Sequence, residues 1–170
     1  SEEITYETTM IDGAVTDRQA VAYNVLQAPT PEITVTGTKL KNGMIAKVGS
    51  GSFIWPVPGY KYVSRWASLP GGHRGADISL PTTADIASDS GTVIAAGWHY
   101  SYGNYVEIDH GNGYKTLYGH MSEIAVTQGQ AVTQGQTIGY VGSTGNSTGN
   151  HCHFEMLRNG VLFSAYTLFP

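Results

Sequence analysis

The sequence predicts an all-β chain, and three observations carry that prediction. Glycine supplies 22 of 170 residues while charged residues reach only 13%, a balance that favours turns over long helices. Hydrophobic residues at 41%, with eleven Tyr, four Phe and three Trp, suffice for a buried core and exclude a disordered chain. Short β-branched and aromatic runs recur between Gly, Asn and Asp turn signals, and no stretch shows three turns of helical periodicity. The glycines follow no three-residue period, which excludes collagen.

The elements follow in order. Residues 4–11 and 19–26 alternate or run β-branched on either side of an Asp12-Gly13 turn, which reads as a hairpin. Another strand is expected from Ile33 to Thr36, behind Pro29 and Pro31. Residues 39–52 carry Lys39, Lys41 and Lys47 among Gly and Ser and read as a linker. From Phe53 the composition turns dense in aromatics and glycine, and strands are expected over 60–65, 76–80, 91–97, 104–109, 114–118, 137–141 and 151–157. Gly111-Asn112-Gly113 and Arg158-Asn159-Gly160 mark hairpin turns. Val126-Thr-Gln-Gly-Gln130 is echoed by Val132-Thr-Gln-Gly-Gln136, predicting two successive turns of similar geometry, too few for a repeat architecture.

Charge and cysteine exclude several classes. A net charge of −4 with no basic stripe argues against nucleic acid as a partner. No apolar run approaches the ~20 residues of a membrane helix. Ser1-Glu2-Glu3 is neither an initiator nor a signal peptide, so the chain reads as a mature or excised fragment. Cys152 is the single cysteine, so no intrachain disulfide forms.

The chemistry lies in the histidines. On a strand over 151–157, His151, His153 and Glu155 share one face and Cys152, Phe154 and Met156 the other. The apolar set belongs inside, so both imidazoles point into a polar groove, ~7 Å apart at Cα and within reach of one metal or one substrate. His73 and Asp77 would lie ~13 Å apart on a straight strand, too far for one zinc. If both are ligands the chain must turn between them, with Gly71, Gly72 and Gly75 as the means; alone, the pair reads as a loop ion pair. His120 ends the run Tyr114–Tyr118 as a loop or cleft residue. Together these segments supply four histidines and a carboxylate. Two imidazoles plus one carboxylate make a divalent site with an open position, leaving two imidazoles for acid–base work. His99 and His110 read as loop and hairpin-shoulder residues, and Glu155 either orients an imidazole or is an ordinary exposed carboxylate.

The chain from about Phe53 to Ala165 closely resembles the LytM/lysostaphin-type zinc metallopeptidases, the M23 peptidase family. The resemblance runs through Phe53-Ile-Trp-Pro-Val-Pro58, His73-Arg-Gly-Ala-Asp77-Ile, Gly91-Thr-Val-Ile and Tyr102-Gly-Asn-Tyr-Val-Glu-Ile-Asp-His-Gly111. It continues through Thr116-Leu-Tyr-Gly-His120, Ile138-Gly-Tyr-Val-Gly142 and Ser147-Thr-Gly-Asn-His-Cys-His-Phe-Glu155. Cys152 stands where the family usually has Leu, and Pro81-Thr-Thr-Ala replaces a glycine-containing turn. Tyr6-Glu-Thr-Thr-Met-Ile-Asp-Gly and Pro31-Glu-Ile-Thr-Val-Thr-Gly-Thr38 resemble the second half of a G5 domain, a β-rich module of bacterial surface proteins.

The resemblance implies antiparallel sheets forming a cleft, with a small N-terminal β appendage. It divides the chain into a partial G5-like module (1–38), a linker (39–52) and a metallopeptidase domain (53–170). It implies one Zn2+ per chain on His73, Asp77 and His153, catalytic roles for His120 and His151, and hydrolysis of peptides in bacterial peptidoglycan. The implied setting is extracellular or in the cell wall. Exposed edges of the N-terminal strands predict a homodimer through residues 4–36. Two rivals stand beside this expectation: an iron(II) facial triad, and a non-catalytic wall-binding or partner-activating module on the same fold.

Overall fold

A computed structural model describes residues 2–11, 14–25, 48–68 and 72–169, the first two stretches by backbone alone. The chain divides into two compact units, Ser1–Thr36 and Gly37–Pro170.

In the first unit, β1 (Glu2–Ile11) pairs antiparallel with β2 (Ala14–Val25). The hairpin is longer than the alternation predicts. Register shifts between Thr5 and Tyr6 and between Thr9 and Met10 leave Val21 and Thr16 between paired positions. Each extra residue resets the period of two, which hides a single long strand from pattern reading. The strand expected at Ile33–Thr36 and the linker residues up to 47 lie outside the described residues; residues 48–52 carry no strand.

The second unit is all-β with antiparallel pairing. Its main sheet is built from β3 (Val63–Arg65), β4 (Ala76–Ser79), β6 (Gly91–His99), β7 (Gly103–Asp109), β8 (Tyr114–Met121), β10 (Ala131–Val132) and β12 (His151–Arg158), in spatial order β10-β6-β7-β8-β12-β4-β3. A further strand, β13 (Val161–Phe163), pairs with β12. A smaller sheet orders β5 (Ala84–Ile86), β11 (Thr137–Tyr140) and β9 (Glu123–Ile124) as β5-β11-β9. The helical structure among the described residues is one 3-10 turn, Ala165–Thr167.

β5, β9, β10 and β13 were not expected, because two or three residues are too few to show a period. The strand expected over 60–65 begins only at Val63. Pro58-Gly59 closes a turn there, with Tyr60 N–H donating to the Val57 carbonyl at 3.2 Å. The echoed sequence does form twin turns. Thr127 N–H donates to Gln130 Oε1 at 3.1 Å and Thr133 N–H to Gln136 Oε1 at 3.1 Å. Gly129 and Gly135 hold φ 88° and 80°, the left-handed position that a type II turn reserves for glycine.

The core follows the strand alternation. Ile78 of β4, Val106 and Ile108 of β7, Tyr118 of β8 and Cys152, Phe154 and Met156 of β12 are fully buried with Ile138 of β11. Cys152 is a small buried hydrophobe, as its position in the alternation predicts. The opposite face of β8-β12-β4 is left for polar side chains.

Candidate metal centre

Three adjacent strands of the main sheet deliver the histidines. β12 sets His153 opposite Asp77 of β4 on one side and opposite Gly119 of β8 on the other. Asp77 and His153 are therefore a cross-strand pair, His153 Nδ1 lying 2.8 Å from Asp77 Oδ1. His73 precedes β4 in a loop closed on Ser68: His73 N–H donates to Ser68 Oγ at 2.8 Å, and Ser68 N–H to the His73 carbonyl at 2.9 Å. The loop turns His73 back so that Nε2 lies 3.1 Å from the same Asp77 oxygen. Gly75 makes this approach feasible. A Cβ there would come within 2.5 Å of the Phe154 carbonyl and 3.0 Å of the His153 ring.

His120 reaches the site by a different device. In a regular strand it would share the core-facing side of Tyr118. Val106 pairs with Tyr118 and Asn104 with Met121, so Gly119 and His120 together oppose Tyr105 in a bulge. His120 takes φ 63° there, a left-handed conformation uncommon for a residue with a Cβ. The bulge re-aims the imidazole, returns Met121 to the core and lets β8 run past the expected end at Tyr118.

The ring nitrogens are sorted by their carbonyl partners, since a carbonyl only accepts. His120 Nδ1–H donates to the Thr144 carbonyl at 2.8 Å and His151 Nδ1–H to the Gly149 carbonyl at 2.8 Å. One loop, residues 143–150, thus fixes both rings in the same tautomer and leaves each Nε2 as the acceptor. Their centroids are 4.5 Å apart, and His151 Nε2 lies 3.7 Å from Asp77 Oδ1. His73 Nδ1–H faces the Trp66 carbonyl at 3.4 Å, which leaves Nε2 as its lone pair. Beside His151 a polar hollow of about 160 Å³ opens between Ser64, Ser79, Thr148 and Asn150.

Glu155 is no exposed carboxylate. It is 1% exposed, and Arg74 Nε and Nη2 grip its two oxygens at 2.9 Å each. Tyr102 OH donates to Oε1 at 2.8 Å, and His153 Nε2 lies 3.2 Å from the same oxygen. Burial alone would raise the Glu155 carboxyl, but His153, Arg74 and Tyr102 together bring it down to about 2. The Tyr102 phenol goes up to about 12, through burial and the adjacent Glu155 charge. Asp77 behaves like Glu155: burial works to raise it, and the facing imidazoles, His153 first, hold it below the usual carboxylate range. Burial is the main cause that lowers His120.

His73, Asp77 and His153 each offer one ligand atom within 4.8 Å of the other two, and His73 Nε2 and His153 Nδ1 lie 3.1 and 2.8 Å from Asp77 Oδ1. A tetrahedral zinc with bonds near 2.0–2.2 Å sets its ligand atoms about 3.3 Å apart. Two imidazoles and a carboxylate, with each imidazole's second nitrogen already engaged, are a donor set that fits such a cation. All five residues singled out from the sequence, His73, Asp77, His120, His151 and His153, come together. His99 and His110 do not join them. His99 Nδ1 accepts from Ser101 N–H at 3.2 Å, and His110 is fully buried, spanning the Ser90 carbonyl at 2.8 Å and Thr116 Oγ1 at 2.9 Å.

Arg74 and Tyr102 are the participants that sequence reasoning missed. Both lie inside motifs already quoted; the remaining signal is a carboxylate between Phe154 and Met156 on a buried strand, which requires a donor partner.

Comparison with known proteins identifies the family. The sequence signature described as Peptidase family M23 matches residues 71–164. The chain belongs to peptidase family M23. A G5 domain signature matches residues 1–39. Among M23 relatives, the chain is 44% identical over 89 residues to the peptidoglycan DD-endopeptidase ShyA of Vibrio cholerae, a match covering 52% of this chain and 21% of ShyA. The chain thus spans about a fifth of that relative's length. The M23 fold is shared with the crystal structure of a zinc containing peptidase from Vibrio cholerae, at TM-score 0.60 and 33% identity over 67% of this chain and 39% of that one. It is shared too with the catalytic domain of lysostaphin from Staphylococcus simulans, at TM-score 0.55 and 31% identity over 64% of this chain and 90% of that one. The homodimer expected through the N-terminal strands draws no support from the structure or from these relatives.

Proposed function

We propose that the M23 domain is a zinc-dependent endopeptidase that hydrolyses peptide bonds of bacterial peptidoglycan, in cross-bridges or stem peptides. The observation that carries this reading is the convergence of His73 Nε2 and His153 Nδ1 on one Asp77 oxygen. The printed activity of ShyA supports the substrate class, and the printed zinc content of the Vibrio cholerae peptidase supports the metal. Residues 1–38 are then a G5-type module, 39–52 its linker and 53–170 the peptidase. The place of action is the cell envelope, where the polymer lies.

Bound by His73, Asp77 and His153, zinc supplies a Lewis acid and makes a water acidic near pH 7. His120 and His151 handle the protons. Each presents Nε2 as an acceptor, because a loop carbonyl has claimed its Nδ1–H. One takes the proton of the attacking water at Nε2; the other acts in its protonated form, whose Nε2–H hydrogen-bonds the developing oxyanion or protonates the leaving amine. Burial favours the neutral, basic form of His120, as a proton acceptor requires.

The test pairs metal analysis with digestion. Protein purified without added metal should carry zinc near one per chain and release peptide fragments, read by mass spectrometry, from peptidoglycans of defined cross-bridge type. His120→Ala should keep its zinc and lose roughly 10²–10⁴ in rate. Full turnover by that variant overturns the acid–base scheme, and iron in place of zinc returns the site to a facial triad. Zinc with every peptidoglycan left intact favours the non-catalytic module.

A further inference from the structure

We propose that Glu155 is the positioning residue that selects which nitrogen of His153 faces the metal, with Arg74 and Tyr102 as its clamp. The inference rests on the zinc site proposed above and concerns residues outside its ligand set.

A neutral imidazole carries one N–H and one lone pair. His153 stands between two carboxylates, Nδ1 at 2.8 Å from Asp77 Oδ1 and Nε2 at 3.2 Å from Glu155 Oε1. Asp77 Oδ1 also faces His73 Nε2, so the shared point of the site lies on the Nδ1 side of His153. Metal binding through Nδ1 requires the N–H on Nε2. An ionised carboxylate only accepts, and Glu155 supplies that acceptor at the needed place.

The clamp makes the choice rigid. Arg74 approaches Glu155 in a bidentate fork, which fixes the carboxylate plane as well as its position. Tyr102 OH adds a bond to Oε1, the oxygen that faces His153, and its ring lies 5.7 Å from the imidazole. Arg74 follows His73 directly, while Tyr102 belongs to the turn between β6 and β7. The loop carrying His73 therefore also anchors the partner of His153. Arg74 keeps 54% of its side chain exposed whereas Glu155 has none; the cation spans from solvent to a buried charge that would otherwise be costly. Partners of this kind around metal-bound histidines typically change metal affinity by about 10–100-fold when removed.

The experiment measures zinc affinity by chelator competition at fixed pH, on the full chain and on Glu155→Ala, with metal-free melting curves alongside. A second readout is the tautomer of His153 from nitrogen-15 NMR of the cadmium-113-loaded protein. The unmodified chain should show metal coupling at His153 Nδ1 with the proton on Nε2. Glu155→Ala should bind zinc about 10–100-fold more weakly and lose the single tautomer. Tyr102→Phe, which removes one clamp donor and keeps the ring, should lose several-fold. Should Glu155→Ala fail to fold, Glu155→Gln carries the test: its amide oxygen can take the N–H without charge, and a smaller loss is expected. Unchanged affinity and tautomer in these variants overturn the role of Glu155 while leaving the zinc site intact. Failure of the unmodified chain to bind zinc overturns the site itself, and the inference with it.

Discussion

Asp85 shows how far a single side chain can depart from ordinary behaviour in this fold. It is fully buried on β5, and neither carboxylate oxygen has a hydrogen-bond partner of good geometry. Burial pushes its carboxyl up to about 7, with the Cys152 thiol drawing it partly back. An unfolded aspartate titrates near 3.9. Between those values the native state binds the proton more tightly, so stability is full below about 4 and declines as pH rises through about 7. The gap corresponds to roughly 4 kcal/mol at its upper limit. Asp85→Asn should therefore flatten the fall in urea midpoint between pH 4.5 and 7.5; an unchanged slope would show that the carboxyl ionises freely. His110 acts with the opposite sign. Burial lowers its pKa, so its contribution is present above about 6.5 and lost as pH falls below that.

The elements show what pattern can and cannot reveal. The histidine face of β12 was legible because Cys152, Phe154 and Met156 had to point inward, which sends His151, His153 and Glu155 the other way. The return of His73 to Asp77 was legible as a requirement, through the glycines around it. The aim of His120 was not, since a bulge breaks the periodicity on which the argument depends. Nor was the burial of Glu155, whose partners lie 81 and 53 residues away in sequence. The twin turns were legible because their chemistry is local. Gly129→Ala and Gly135→Ala should each cost about 1–2 kcal/mol, for a Cβ in the left-handed region. Near-equal losses in two chemical denaturation curves check the prediction; a cost at one site only would break the equivalence.

At the scale of the whole molecule, Cys152 offers an internal probe. Its thiol is fully buried near the start of β12, where Cys152 pairs with Ile78 of β4, and burial pushes its pKa well up. A protonated, inaccessible thiol is inert. Labelling by an aromatic disulfide reagent should proceed at the rate of global opening, and faster labelling would reveal a local fluctuation of the sheet. The fold is also built largely from distant pairings, β12 with β4 and β10 with β6 among them. Such topologies refold on the millisecond-to-second scale.

The alternation of β12 has a last consequence. One eight-residue strand carries the packing on one side and the chemistry on the other. A slip of one residue against β4 or β8 would put Phe154 and Met156 in water and drive His153 and Glu155 into the core. Such a chain would be rejected by its own energetics before it could persist as a folded but inactive species. Folding here is a proofreading step for the histidine cluster.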